Sequence, residues 1–226
     1  MREFLIKICP VAIWCIVAGE AVIAALLFLH AAKKHSKVAL WSGVLTLGLI
    51  VDAAIIGLGS VLTPETLAAV SPARFIAHGL LIPLLFPICG YALNLKKPVM
   101  TVVWIVIALI MAAGVAQALA TKLVPETIAN VTRMKAGEDT PKWAETISMA
   151  LSFGTVIPMM IVGIIVWIKE KTPHLFLSGL LMFAFSALGP ATGNTDLIFF
   201  ISMFGEILMV LFLYLYARAK AKRRAG

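Results

Sequence analysis

Ser71-Pro72-Ala73-Arg74-Phe75-Ile76-Ala77-His78-Gly79-Leu80-Leu81-Ile82-Pro83 sets an arginine and a histidine one helical turn apart at the mouth of an apolar segment. The i, i+4 spacing puts both side chains on one helix face, so what one meets the other can meet. Ionisable groups inside an apolar run cost several kcal/mol unless they are paired or wetted. The stretch therefore asks for partners from elsewhere in the chain.

The rest of the chain supplies an apolar setting. Of its 226 residues 62% are hydrophobic and 13% charged, where a soluble domain carries about 25% charged residues. The mean hydropathy is +1.02. Runs long enough to cross a bilayer fall at about 10–32, 38–60, 73–94, 98–120, 146–168, 174–192 and 195–217, each near the ~20 residues a spanning helix needs. The expectation is an all-α, integral membrane seven-helix bundle, with residues 1–226 forming a single transmembrane domain. The net charge of +8 does not point to nucleic acid, because the basic residues cluster at segment ends, where anionic headgroups lie.

Those clusters give an orientation. With the amino terminus outside, twelve basic residues face inward (Lys33, Lys34, Lys37, Lys96, Lys97, Lys169, Lys171, Arg218, Lys220, Lys222, Arg223 and Arg224) and seven face outward. Four of the outer seven lie in the 121–145 loop, matched there by Glu126, Glu138, Asp139 and Glu145, while the inner clusters look nearly unopposed. The positive-inside rule then places the amino terminus outside and the carboxyl terminus inside, in a cell (inner) membrane. The tail Arg218–Arg224 would lie against the inner leaflet. Arg2 and Lys7 before an apolar run resemble a signal peptide, but the run is too long for one, and a retained first helix is expected.

Two patterns bear on assembly. Leu62-Thr63-Pro64-Glu65-Thr66-Leu67-Ala68 and Leu123-Val124-Pro125-Glu126-Thr127-Ile128-Ala129 are near copies. Proline followed by glutamate is a helix-start signal, so each copy predicts a short interfacial helix. A fainter echo relates Gly19–Gly43 to Gly154–Gly179 and suggests a parallel 3+1+3 repeat. Cys9, Cys15 and Cys89 have neither zinc-site nor disulfide spacing.

The candidate site comes from the ionisable residues within the spans. Counting ~1.5 Å per residue from the outer ends puts Arg74 at the edge, His78 roughly 9 Å down, Asp52 roughly 12 Å, and Glu20 and Glu206 roughly 15 Å. Glu145, Asn194 and Asp196 would rim the mouth. The inner halves look apolar, so the pattern predicts a ligand- or proton-binding pocket open outward and closed below. Each member also has a structural reading. Arg74 can snorkel to headgroups, His78 can be a hydrogen-bonded core histidine, and Asp52 or Glu206 can tie helices together. Glu20 sits among Ala18, Gly19 and Ala21, small residues that let another backbone or a ligand come close.

Ala73-Arg74-Phe75, followed eight residues after the phenylalanine by Pro83-Leu84-Leu85, resembles the third helix of microbial rhodopsins. Those are also seven-helix proteins with the amino terminus outside and an arginine near the outer end. The resemblance implies a similar bundle with an outward polar cavity. The chain departs from it at Ala77, where that family has a carboxylic counter-ion, and at His78, usually tryptophan there. No lysine occurs between Thr195 and Ala217, so covalent retinal is not expected.

Hydrolase, metalloprotease and phosphate-loop motifs are absent from the sequence. With His78 the one histidine in reach of the acids, a zinc site of the usual two or three histidines is not expected, and no catalytic or metal residue is assigned. The favoured expectation is a transporter-like protein whose partners are the bilayer and a small ligand or proton. In it Arg74 would hold an anionic group or close the pocket by a salt bridge, and His78 would exchange protons with Glu20 or Glu206. The alternatives are an intramembrane enzyme using the buried carboxylates, or a non-catalytic subunit of a membrane complex. A homo-oligomer fits either membrane reading.

Overall fold

The structure, a computed structural model, describes the backbone of residues 2–192 and 198–225 and the side chains of residues 7–187 and 200–223. Nine α-helices and one β-hairpin follow in order among the described residues: α1 (Arg2–Lys34), α2 (Lys37–Leu58), α3 (Pro64–Val70), α4 (Pro72–Leu81), α5 (Leu85–Ala92), α6 (Lys97–Ala120), β1 (Leu123–Ile128), β2 (Val131–Ala136), α7 (Lys142–Glu170), α8 (His174–Thr192) and α9 (Ile198–Ala225). Six segments are long and apolar enough to cross a membrane, with Pro64–Ala92 counted as one, and a shorter apolar stretch, His174–Ala187, stands beside them. The chain is thus a helical integral membrane protein. Its lipid-facing surface follows from composition: α6 and α7 expose Val102, Ile105, Leu109, Phe153, Ile161 and Ile168, which in water would be a liability and in hydrocarbon costs nothing.

The helices start and stop for local reasons. The Ser36 hydroxyl accepts from the amide of Ala39 to cap α2, and Thr63 accepts from Thr66 to cap α3, each satisfying one orphan amide of a first turn. The third apolar run, expected as one helix over 73–94, is broken. α4 ends at Leu81, a 3-10 turn covers Ile82–Leu84, and α5 begins at Leu85. Pro83 has no amide hydrogen to give the carbonyl one turn back, and its ring crowds that carbonyl. The break falls just below His78, whose carbonyl accepts the amide of Ile82. At the amino terminus the helix already begins at Arg2 rather than near residue 10, with Pro10 inside it.

The hairpin corrects the all-α expectation. The two near copies fold differently: the first is α3 and the second is β1. Thr63 supplies a capping oxygen where Val124 has none, and Ile128 replaces Leu67, favouring a strand. Val131–Ala136 then offers a partner strand, paired antiparallel with Leu123 opposite Ala136 and Ile128 opposite Val131. Ala129 and Asn130, with φ of 51° and 61°, form a two-residue connection of the type that matches strand twist. Across the strands the Thr127 and Thr132 hydroxyls lie 2.9 Å apart. Arg133 donates to Glu126 at 2.8 and 3.0 Å, and Lys135 at 2.6 Å.

Partial burial raises the tendency of Glu126 to hold a proton, but the bonds from Lys135 and Arg133 outweigh it and hold the carboxyl below its usual range. A depressed carboxylate contributes stability above its unfolded pKa and loses it as pH falls through the folded one. Amide exchange across 123–136 should therefore accelerate as pH is lowered below the ordinary glutamate range, after correction for intrinsic exchange. Glu126→Gln should remove that acid dependence; an unchanged acid profile in the variant would show that another group controls it.

The hairpin is docked rather than loose. The Thr132 amide donates to the Gly59 carbonyl at 3.0 Å, and a Cβ on Gly59 would stand 1.7 Å from the Thr132 oxygen. Val131 packs, fully buried, with Cys9, Ile13 and Ile56 of α1 and α2. The amino-terminal end of α1 and the hairpin thus share one face of the bundle.

Between that face and the other, α1 packs on α2 and α9, α4 on α2 and α6, and α8 between α7 and α9. At the far end Lys220 of α9, 7% exposed, donates to the Ala92 carbonyl at 2.6 Å and to Glu170 at 3.0 Å, with Arg223 at 3.7 Å from the same carboxylate. The basic face is therefore not unopposed: Glu170 pulls α7 and α9 together there. The charge-assisted bond also closes the carboxyl end of α5.

Candidate functional site

Near the hairpin face, α2, α4, α6, α7, α8 and α9 line a cavity of about 510 Å³. Its floor is formed by Leu49, Leu85, Val156 and Met209, which also belong to the main hydrophobic core. The packed core continues below them, so the cavity ends there. Its mouth is lined by Arg133 and Ala136 of the hairpin and by Glu145 at the start of α7.

One wall is ionic. Arg74 donates its Nε to Asp52 Oδ1 and one terminal nitrogen to the Met134 carbonyl at 3.3 Å, so a single guanidinium ties α4 to both α2 and the hairpin. Asp52 is 1% exposed. The Nε2 of His78 lies 3.4 Å from the same Asp52 oxygen, an ion-pair distance without hydrogen-bond geometry, and that nitrogen is buried with no hydrogen-bond partner. From α9, Glu206 completes the group: Asp52, His78 and Glu206 each present an atom within 4.8 Å of the others. One Glu206 oxygen is likewise buried and unbonded. Two orphaned polar atoms in one cluster with a carboxylate are an unmet demand for a proton, a polar ligand atom or a cation.

The arrangement favours a proton or ligand atom over a metal ion. Two oxygens and one nitrogen at this spacing could hold a divalent cation. The Asp52 oxygen nearest His78, however, already carries the Arg74 guanidinium, and a dication would sit beside that fixed positive charge.

The structure brings together Asp52, Arg74, His78 and Glu206, with Glu145 at the rim. Glu20 is placed otherwise. It is fully buried on α1 and absent from the cavity lining, and neither of its oxygens is hydrogen bonded. It lies within electrostatic reach of Asp52 and Glu206, behind the wall rather than on it. The tight packing of Gly19 on Ile207 brings α1 against α9 beside it. Asn194 and Asp196 lie outside the described residues.

Sequence reasoning missed several lining groups. Gln117 of α6 and Thr121 just past its end are bonded to each other at 2.9 Å, while Ser148 and Ser152 of α7, Ser186 and Ser202 add hydroxyls. The legible signal was Ser148-x-x-x-Ser152, two hydroxyls on one face of an apolar helix. The remaining surface is aromatic and thioether: Phe75, Phe153, Phe183, Met149, Met182 and Met203. All six are apolar, and the methionines among them are adaptable.

Compared with known proteins, the chain matches no protein-family model and no curated protein. The class its fold and site define is a helical membrane protein with an ionic cluster at the wall of an apolar cavity.

Proposed function

We propose that the chain crosses the membrane seven times, with the amino terminus and hairpin outside and the carboxyl terminus inside, and binds a small amphipathic ligand with proton exchange in the cavity. The bundle and outward polar cavity are also what the resemblance to the rhodopsin third helix implies. One observation carries the reading. His78 and Glu206 each hold a buried, unbonded polar atom, and both residues present an atom within 4.8 Å of Asp52 at the wall of a cavity of about 510 Å³.

Arg74 and Asp52 neutralise each other, so Arg74 acts as the salt bridge that fixes the wall rather than as an anion holder. His78 and Glu206 then remain as the exchangeable pair. They favour a ligand with a protonatable or hydrogen-bond-donating head, such as an amine or an alcohol. The ligand's apolar part would lie against the phenylalanine and methionine wall, where burial contributes about 25 cal/mol per Å².

The test uses the purified chain in nanodiscs with a panel of small amphipathic amines, alcohols and carboxylates. Thermal shift identifies binders, and a pH indicator counts the protons exchanged per molecule bound. Amines or alcohols should stabilise the protein with net proton exchange, and Glu206→Gln should abolish the exchange while the melting temperature without ligand stays within a few degrees. Binding of carboxylates alone, or proton exchange unchanged in both Glu206→Gln and His78→Gln, would remove the pair from the proposed role.

A further inference from the structure

The opposite face of the bundle carries a second cavity, of about 570 Å³, between the α1–α2 turn, the α5–α6 turn and α9. Four lysines line it: Lys34, Lys37, Lys97 and Lys220, together with His35. They come from the α1–α2 turn, the start of α6 and the interior of α9, so the fold, not one basic run, gathers them. The nearby acid, Glu170, pairs with Lys220 and Arg223 and is not part of the lining. Lys34, Lys37 and Lys97 are exposed at the rim.

An aromatic ledge adjoins the charges. The Trp41 and Trp104 rings lie 4.6 Å apart, the Trp104 indole donates to the Tyr91 hydroxyl at 3.2 Å, and the Lys37 ammonium sits 5.3 Å from the Tyr91 ring centroid. Tryptophan and tyrosine at this position are the side chains that settle at headgroup depth. Beyond Trp104, α6 continues as exposed Ile105, Val106 and Leu109, an apolar strip that an acyl chain can follow.

We infer that this basic cavity binds the phosphate of an anionic phospholipid, with lysine ammonium groups around the headgroup and the acyl chains along α6. The physical basis is point-charge recognition of phosphate by lysine together with a concave site that a flat basic surface lacks. The inference is independent of the ligand cavity on the hairpin face.

Native mass spectrometry of the full chain, released from nanodiscs containing phosphatidylglycerol and phosphatidylcholine, provides the test. Phosphatidylglycerol should be retained in preference to phosphatidylcholine. Lys34→Ala, Lys37→Ala and Lys97→Ala combined should lower that retention at least about tenfold, since they remove three of the four lysines that line the cavity. A matched triple on the same face, Lys33→Ala, Lys169→Ala and Lys222→Ala, should lower it far less, because none of the three lines the cavity. Inorganic phosphate distinguishes the source. Failure to displace the lipid supports a headgroup site, whereas displacement keeps the phosphate site and assigns it a soluble ligand. Equal loss in both triples, or no preference for phosphatidylglycerol, would overturn the inference.

Discussion

Arg74→Met should destabilise the protein by about 3–5 kcal/mol, because it leaves the Asp52 carboxylate buried without its counter-charge. Asp52 is 1% exposed, and its other ionisable neighbour, His78, stands 3.4 Å away without a hydrogen bond. Asp52→Leu should cost less. The abandoned guanidinium belongs to α4 near the cavity mouth, keeps its bond to the Met134 carbonyl, and can turn towards water by snorkelling. The double substitution should recover most of the loss, since replacing both members of a buried pair by apolar groups is often neutral. Reversible unfolding of the four proteins in detergent micelles closes the cycle. A coupling below about 0.5 kcal/mol would show that the pair is incidental. A loss confined to Asp52→Leu would reverse the account of which charge is trapped.

That cluster was legible in the sequence because charge inside an apolar run is costly and therefore seldom idle. Counting along the helices places Asp52, His78 and Glu206 at similar depths, and the folded chain brings their polar atoms together. Glu20 shows what counting cannot supply. Depth follows from the rise per residue, but rotation about the helix axis does not. A span that is apolar on every side has no polar stripe to orient it. Beside Glu20, Gly19 admits Ile207 of α9 close against the backbone of α1. The hydroxyls of Ser186 and Ser202 stayed invisible for the same reason.

The hairpin was hidden by a different cause. Pro125-Glu126 carries the local signature of a helix start, and the near copy at Pro64-Glu65 obeys it. What differs is one missing capping oxygen, Val124 for Thr63, and a partner strand beginning three residues past Ile128. A tertiary contact then locks the outcome, because the Gly59 carbonyl receives the Thr132 amide. Pro83 by contrast stood in plain view, and only its consequence was underestimated: it breaks the third span directly below His78.

The second large effect concerns how α4 is held where His78 can reach Asp52. α4 and α6 meet at Gly79 and Gly114, where a Cβ on Gly79 would lie 2.5 Å from the Gly114 carbonyl carbon and one on Gly114 2.6 Å from the Gly79 oxygen. Backbone meets backbone, so no side chain can rotate away and the helices themselves must separate. Gly79→Ala should cost about 1–3 kcal/mol, the usual range for overpacking, and Gly79→Val more. Gly79 adjoins His78, so the displacement should also weaken ligand-linked proton exchange in the cavity. Gly79→Ala and Gly114→Ala combined should cost less than the two separate losses added, because the first substitution already opens the space the second needs. Gly154 of α7 gives the opposite sign: nothing lies within 4 Å of a Cβ built there, so Gly154→Ala should stabilise by about 0.5–1 kcal/mol through backbone entropy alone. A neutral Gly79→Ala alongside a stabilising Gly154→Ala would mean that α4 is held by its ion pair to α2 and not by its seam with α6.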